Sequence, residues 1–204
     1  AHALQACARE AVVLLAGSIP PGLPQTFYLE IASCAKRNAA HVVIDAQRES
    51  LLAMLPAQPD VVKINRDELY RTIGALDIVS GVDSPSGSRC ESEADPYRDN
   101  TAAAARRLME AGAGSIVVTD GAGPVLLLEE NRKPQVFHPP RVDVVNAVGS
   151  GDAMSGALAL ALERGDSLRD GVRYGIAAGA ANAMTLLPGV IDAEVVRRIF
   201  HDTL

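Results

Sequence analysis

The chain has 204 residues, 48% hydrophobic and 22% charged, a balance that excludes a disordered or low-complexity protein. Aromatic residues make up only 3% and Trp is absent, so apolar volume must come from Ala, Val, Leu and Ile, as in helices laid on a buried parallel sheet. A net charge of -6 leaves no electrostatic footprint for nucleic acid or anionic lipid, and no apolar run suggests a membrane span.

Strand and helix patterns alternate along the chain. Residues 11–16 (AVVLLA) form a short buried-strand run that halts at Gly17. A helix is predicted over 25–38 behind Pro24, with Phe27, Ile31 and Cys34 at helical spacing. Residues 41–45 (HVVID) form a second strand and a helix follows around 49–55. Residues 60–64 (DVVKI) form a third strand, and Asn65 opens another helix. Residues 75–100 carry Gly, Ser, Pro and acidic residues without a clear period, which predicts a surface excursion. A helix over 101–111 stops at Gly112, and 115–119 (SIVVT) is a fourth buried strand. Residues 124–129 and 134–137 read as a more exposed hairpin pair. Helices are predicted at about 152–164, 167–186 and 192–202. Repeated βα units imply one α/β domain over 1–204, a mostly parallel sheet covered on both faces, with its ligand at the carboxyl ends of the strands.

The cysteines Cys7, Cys34 and Cys90 are odd in number and form no CxxC, as expected of reduced thiols in a cytoplasmic protein. The histidines His2, His41, His138 and His201 lack metal-ligand spacing. Chemistry concentrates instead in residues 144–157, VVNAVGSGDAMSGA. Gly149 and Gly151 flank Ser150 at the mouth of a helix, so their backbone can turn amides toward one point, reinforced by the helix dipole. Such a cradle suits an anion whose charge grows during reaction, and Asp152 stands beside it as a candidate proton acceptor. Read alone, the same string is also an ordinary helix cap.

The segment NAVGSGDAMSG resembles the signature D-T-x-G-A-G-D of the ribokinase-like (PfkB) carbohydrate kinase family, and other segments follow in the family's order. GSIPPGLP (17–24) resembles its S-G-S-L-P-x-G segment near the sugar, and VVKINRDEL (61–69) its K-P-N-x-x-E-L segment. IVVTDGAGPVLLL (116–128) resembles its V-x-T-x-G-x-x-G strand and turn, and GIAAGAANAM (175–184) the helix flanking the adenine. The resemblance implies a three-layer α/β/α fold using ATP and Mg2+ on a sugar or sugar-phosphate substrate. It implies Asp152 as general base and the amides of Gly149, Ser150 and Gly151 as holders of the transferring phosphoryl group. Asn65 and Glu68 would organise Mg2+ through water, Lys63 would add positive charge near the phosphates, and Thr119, Gly121 and Asn182 would border the nucleotide. Asn65 with Glu68 is also a capping box in form, and Asp45 reads more simply as a cap or loop residue than as a site residue.

Asn146 stands where many sugar kinases have Asp, a feature of the branch resembling 1-phosphofructokinase and tagatose-6-phosphate kinase, which phosphorylates sugars already phosphorylated. Ile64 replaces a usual Pro, and GAGP departs from G-x-x-G spacing. Roughly the first third of the family pattern, its early strands and the small sheet that serves as lid and dimer interface, has no counterpart in the chain. An exposed sheet edge is therefore expected, and homodimerisation stays open. Phosphoryl transfer to a ketose phosphate is the expected activity. The alternatives are a catalytically idle nucleotide-binding module, or a kinase for a free sugar or nucleoside.

Overall fold

A computed structural model of the chain describes residues 11–24, 26–80 and 96–203. Among these residues six strands form one sheet in sequence order: β1 (Val12–Ala16), β2 (His41–Asp45), β3 (Val61–Asn65), β4 (Ser115–Thr119), β5 (Val125–Glu129) and β6 (Gln135–Phe137). β1 to β4 are parallel, and β5 and β6 return antiparallel. The helices are α1 (Phe27–Arg37), α2 (Arg48–Met54), α3 (Arg66–Ser80), α4 (Pro96–Glu110), α5 (Ser150–Glu163), α6 (Leu168–Ala183) and α7 (Ala193–Thr203), with a 3-10 turn at Leu55–Ala57.

Strand residues alternate between two cores. Val42, Ile44, Val62, Ile64, Ile116 and Val118 join the core under α1 to α4. Val43, Val61 and Val117 join the core under α5 and α6. The fold is thus the expected α/β/α arrangement, with α7 stacked on α6 through Ala177, Ala181, Val196 and Ile199. The inner strands β2 to β5 are largely apolar on both faces because both faces are covered.

Three elements differ from the sequence reading. β5 is no exposed strand: Leu126 and Leu128 enter one core while Val125 and Leu127 enter the other. Pro124 and Pro134 stand just before β5 and β6, where a strand starts, and do not mark exposure. The stretch 75–100 is helical at both margins, since α3 runs to Ser80 and α4 starts at Pro96, while residues 81–95 lie outside those described. Pro at a first helical position costs no hydrogen bond, so it opens a helix as readily as it ends one. The Asp77 carboxylate, buried on α3, takes both Nη groups of Arg107 on α4 and clamps the two helices together. Finally, α6 ends at Ala183, because Thr185 turns back to donate to the Asn182 carbonyl at 2.8 Å.

The packing that positions the site is between α5 and α6. A Cβ at Gly175 would stand 2.9 Å from the Met154 carbonyl oxygen, and one at Gly179 would stand 3.1 Å from the Ser150 oxygen. This glycine stripe lets the first turn of α5 lie directly on the backbone of α6. A residue of any size there would push it away. β1, by contrast, is an edge strand among the described residues, with Val12, Val13 and Leu14 half-buried. Among the described residues no helix is long and apolar enough to cross a membrane.

Gly175→Ala is expected to lower stability by about 1–3 kcal/mol despite alanine's better helix propensity. Gly156→Ala, whose Cβ meets nothing within 4 Å, is expected to raise it by about 0.5–1 kcal/mol. Urea unfolding of both variants checks the pair. A pH dependence follows from the clamp: hydrogen bonding from Arg107 holds the Asp77 carboxyl below its ordinary value. Its stabilisation is therefore full above the ordinary carboxylate pKa and is lost as pH falls through the lowered one. Asp77→Asn should flatten that acid limb in a series of thermal melts.

Candidate active site

The parallel strands end together, and their last residues meet the start of α5. Register pairs Ala16 with Asp45, Asp45 with Lys63, and Asn65 with Thr119. A cleft of about 500 Å³ opens above them. It is bordered by Lys63, Asn65, Glu68, Thr119 and Gly121 from the strand ends, and by Gly149, Ser150, Gly151 and Asp152 from the α5 entry. The structure therefore brings together nine of the ten residues singled out from sequence.

The α5 entry is built on Gly149, whose φ of 80° is a left-handed conformation that a side chain would strain. The turn then delivers the backbone at the helix mouth. Ala153 N–H donates to the Gly149 carbonyl at 2.8 Å, the first regular helical bond. Ser150 N–H donates back to Ala147 O at 3.2 Å, so this amide is partly engaged. Among the described residues no acceptor is paired with the N–H groups of Gly149, Gly151 or Asp152. Free donors at the positive end of a helix form an anion site. The Asp152 side chain is exposed and carries no hydrogen bond among the described residues, and it borders both this cleft and a second groove of about 580 Å³ along α5.

Beneath the cradle lies a buried charge. Lys63 is only 6% exposed, and its ammonium donates to Asp45 Oδ2 at 2.9 Å. The Ser155 hydroxyl, also fully buried, donates to the same oxygen at 2.6 Å and stands 3.0 Å from the Gly151 carbonyl. A Cβ at Gly151 would come within 3.1 Å of Lys63 Nζ, so glycine here lets the ammonium approach the cradle from below. Asp45 is not a helix cap. Its carboxylate satisfies Lys63 instead, because an isolated ammonium at this depth would be costly. Ser155 was invisible from sequence, since its relevant partner is 110 residues away.

Asn65 and Glu68 form the reciprocal capping box of α3. Glu68 N–H donates to Asn65 Oδ1 at 2.8 Å, and Asn65 N–H donates to Glu68 Oε2 at 3.1 Å. This occupies one polar atom of each side chain. Glu68 Oε1 and Asn65 Nδ2 carry no hydrogen bond among the described residues, and both residues border the cleft. No group of three or more His, Cys, Asp or Glu able to hold a metal ion occurs among the described residues. The donor set fits an ion shared with water and ligand oxygens, which is how Mg2+ is commonly held, and not an all-protein cage. Thr119 ends β4, and the turn after it is closed by Gly123 N–H donating to Asp120 O at 2.7 Å. Arg66 and Asp120 form a 2.9 Å ion pair between this turn and the start of α3.

Asn182 is the exception: it is fully buried in α6 and does not border the cleft. Of the cysteines, Cys34 is a free thiol on α1, while Cys7 and Cys90 lie outside the described residues.

Comparison with known proteins gives this geometry its context. The family model described as pfkB family carbohydrate kinase matches residues 1–189. The chain is 31% identical over 174 residues to a 1-phosphofructokinase of Bacillus subtilis, an alignment covering 85% of the chain and 51% of that protein. It superposes on Escherichia coli phosphofructokinase-2, solved in complex with substrates and products, with a TM-score of 0.76 at 25% identity, covering 98% of the chain and 59% of that structure. Arabidopsis thaliana ribokinase shares the fold at a TM-score of 0.72 and 20% identity, covering 93% of the chain and 55% of that structure. The chain spans about half the length of the curated relatives it matches.

Removing the Asp45 carboxylate strands a buried ammonium, so Asp45→Ala should cost about 3 kcal/mol. Asp120→Ala breaks an ion pair whose side chains are 38% and 31% exposed, and should cost under about 1 kcal/mol. Chemical denaturation of both variants measures the contrast.

Proposed function

Because the chain belongs to the pfkB family of carbohydrate kinases, we propose that it is the nucleotide-handling part of an ATP-dependent kinase for a sugar phosphate. The observation that carries this reading is the pairing of Asp152 with the unengaged amides beside it. A carboxylate with no internal hydrogen-bond partner is set at the edge of a turn with unengaged amides, an arrangement suited to an attacking hydroxyl beside a phosphoryl group.

In this reading Asp152 takes the proton of the acceptor hydroxyl as its oxygen bonds to the γ-phosphorus and the bond to the ADP oxygen breaks. The N–H groups of Gly149, Gly151 and Asp152 hold the charge on the transferred group, with the Ser150 amide free to join them by leaving its long bond to Ala147. Lys63 adds positive potential from below while Asp45 keeps it in place. Glu68 and Asn65 would hold Mg2+ through water, and the bound ion supplies further neutralisation of phosphate charge. Thr119 and Gly121, which border the cleft, would face the nucleotide.

A phosphorylated ketose is the acceptor this reading favours. Asn146 stands at the position that distinguishes that branch, and the Bacillus subtilis relative is a 1-phosphofructokinase. The segment 17–24 is tied to the end of β2 by Gly17 N–H donating to Asp45 O at 2.9 Å, so it lies at the same sheet end as the cradle.

The test is ADP release from ATP and Mg2+ against a panel of ketose phosphates and free sugars, with Mg·ATP binding followed by calorimetry. Asp152→Asn should leave the binding constant within about threefold and lower turnover by about 10²–10⁴-fold. Binding without turnover on any acceptor leaves an idle nucleotide-binding module. Undiminished turnover in the variant removes Asp152 from the reaction.

A further inference from the structure

The side chain of Asn182 makes three hydrogen bonds. Its Nδ2 donates to Val148 O at 2.9 Å and to Ser150 Oγ at 3.1 Å, and its Oδ1 accepts from Gly189 N–H at 2.8 Å. A carboxamide has two N–H hydrogens, and both are used. The two residues it grips lie on either side of Gly149, the left-handed residue that turns the cradle. The third partner lies in the loop after α6, whose Pro188 would be 3.0 Å from a Cβ at Gly149.

The cradle turn has little else to fix it. Val148 is 66% exposed and contributes little burial, Gly149 has no side chain, and the Ser150 amide makes only the 3.2 Å bond to Ala147. Asn146 ties the approach to the turn, donating to Leu186 O at 2.9 Å and accepting from Val148 N–H at 3.0 Å, but it does not reach Ser150. Besides the long backbone bond from Ser150 to Ala147, Asn182 is the one side chain among the described residues whose hydrogen bonds span Gly149.

We infer that Asn182 is a positioning residue of the anion cradle and not a ligand of the nucleotide. Its amide locks the turn so that the Gly149, Gly151 and Asp152 N–H groups point into the cleft, and couples that turn to the loop at 184–190. A buried amide that has spent both donors has none to offer a base, and the energetic cost of disturbing it falls on the cradle. The ligand named here rests on the kinase reading, whereas the geometry does not.

Two variants test this. Asn182→Ala removes the strut, and Asn182→Asp keeps its size and the acceptor for Gly189 while replacing both donors. Positioning predicts that both weaken Mg·ATP binding roughly tenfold or more while adenosine binding stays within about twofold, because adenosine does not use the cradle. It also predicts that the amides of Val148, Ser150 and Ala153 exchange hydrogen at least about tenfold faster, with α4 unchanged. Equal weakening of ATP and adenosine would make Asn182 a nucleotide ligand and overturn the inference. So would wild-type exchange at those three amides in both variants. Faster exchange throughout the chain identifies a variant that has not folded, and the other then decides. If the wild-type chain binds neither ATP nor adenosine, the kinase reading falls, and the exchange measurement still settles the role of Asn182.

Discussion

The contact on which the site depends is the close approach of α5 to α6. Gly175 and Gly179 remove the side chains that would separate the two helices, so Met154 and Ser150 rest against α6 at backbone distance. This presses the first turn of α5 down toward the sheet end, where Lys63 can reach the underside of Gly151. It also brings Asn182, one turn further along α6, against the turn before α5. The same face of α6 therefore sets both the height and the conformation of the cradle. The sheet supplies its charge from below.

Much of this was legible because strands buried on both faces read as unbroken apolar runs: AVVLLA, HVVID, DVVKI and SIVVT all became strands. β5 was expected to be a more exposed hairpin strand, an expectation that its two-sided packing denies. Helix margins around 75–100 were hidden because Pro, Gly and Ser mask periodicity. The Asp77–Arg107 clamp that holds them together joins residues 30 apart.

Nine of the residues that border the cleft lie in short motifs, whose members sit together because they are adjacent in the chain. The supports were found less well. Asp45 reads as a cap until Lys63 lies beside it in the neighbouring strand, and Ser155 looks like one small residue among many in α5. Asn182 was recognised as important, but its orientation depends on a loop that returns after α6 has ended. Local spacing reveals groups that face a ligand, whereas groups that hold them in place depend on tertiary contacts that no spacing encodes.

The capping box and the exposed carboxylate stand under different kinds of constraint. Asn65 and Glu68 stabilise the start of α3 whether or not a metal is ever bound, since each satisfies the other's backbone N–H. Asp152 satisfies nothing within the described fold. In a descendant selected for folding alone, the Asn-x-x-Glu pair would persist as a molecular fossil. Asp152 would be free to drift. Of the two motifs, only the acid beside the cradle owes nothing to folding.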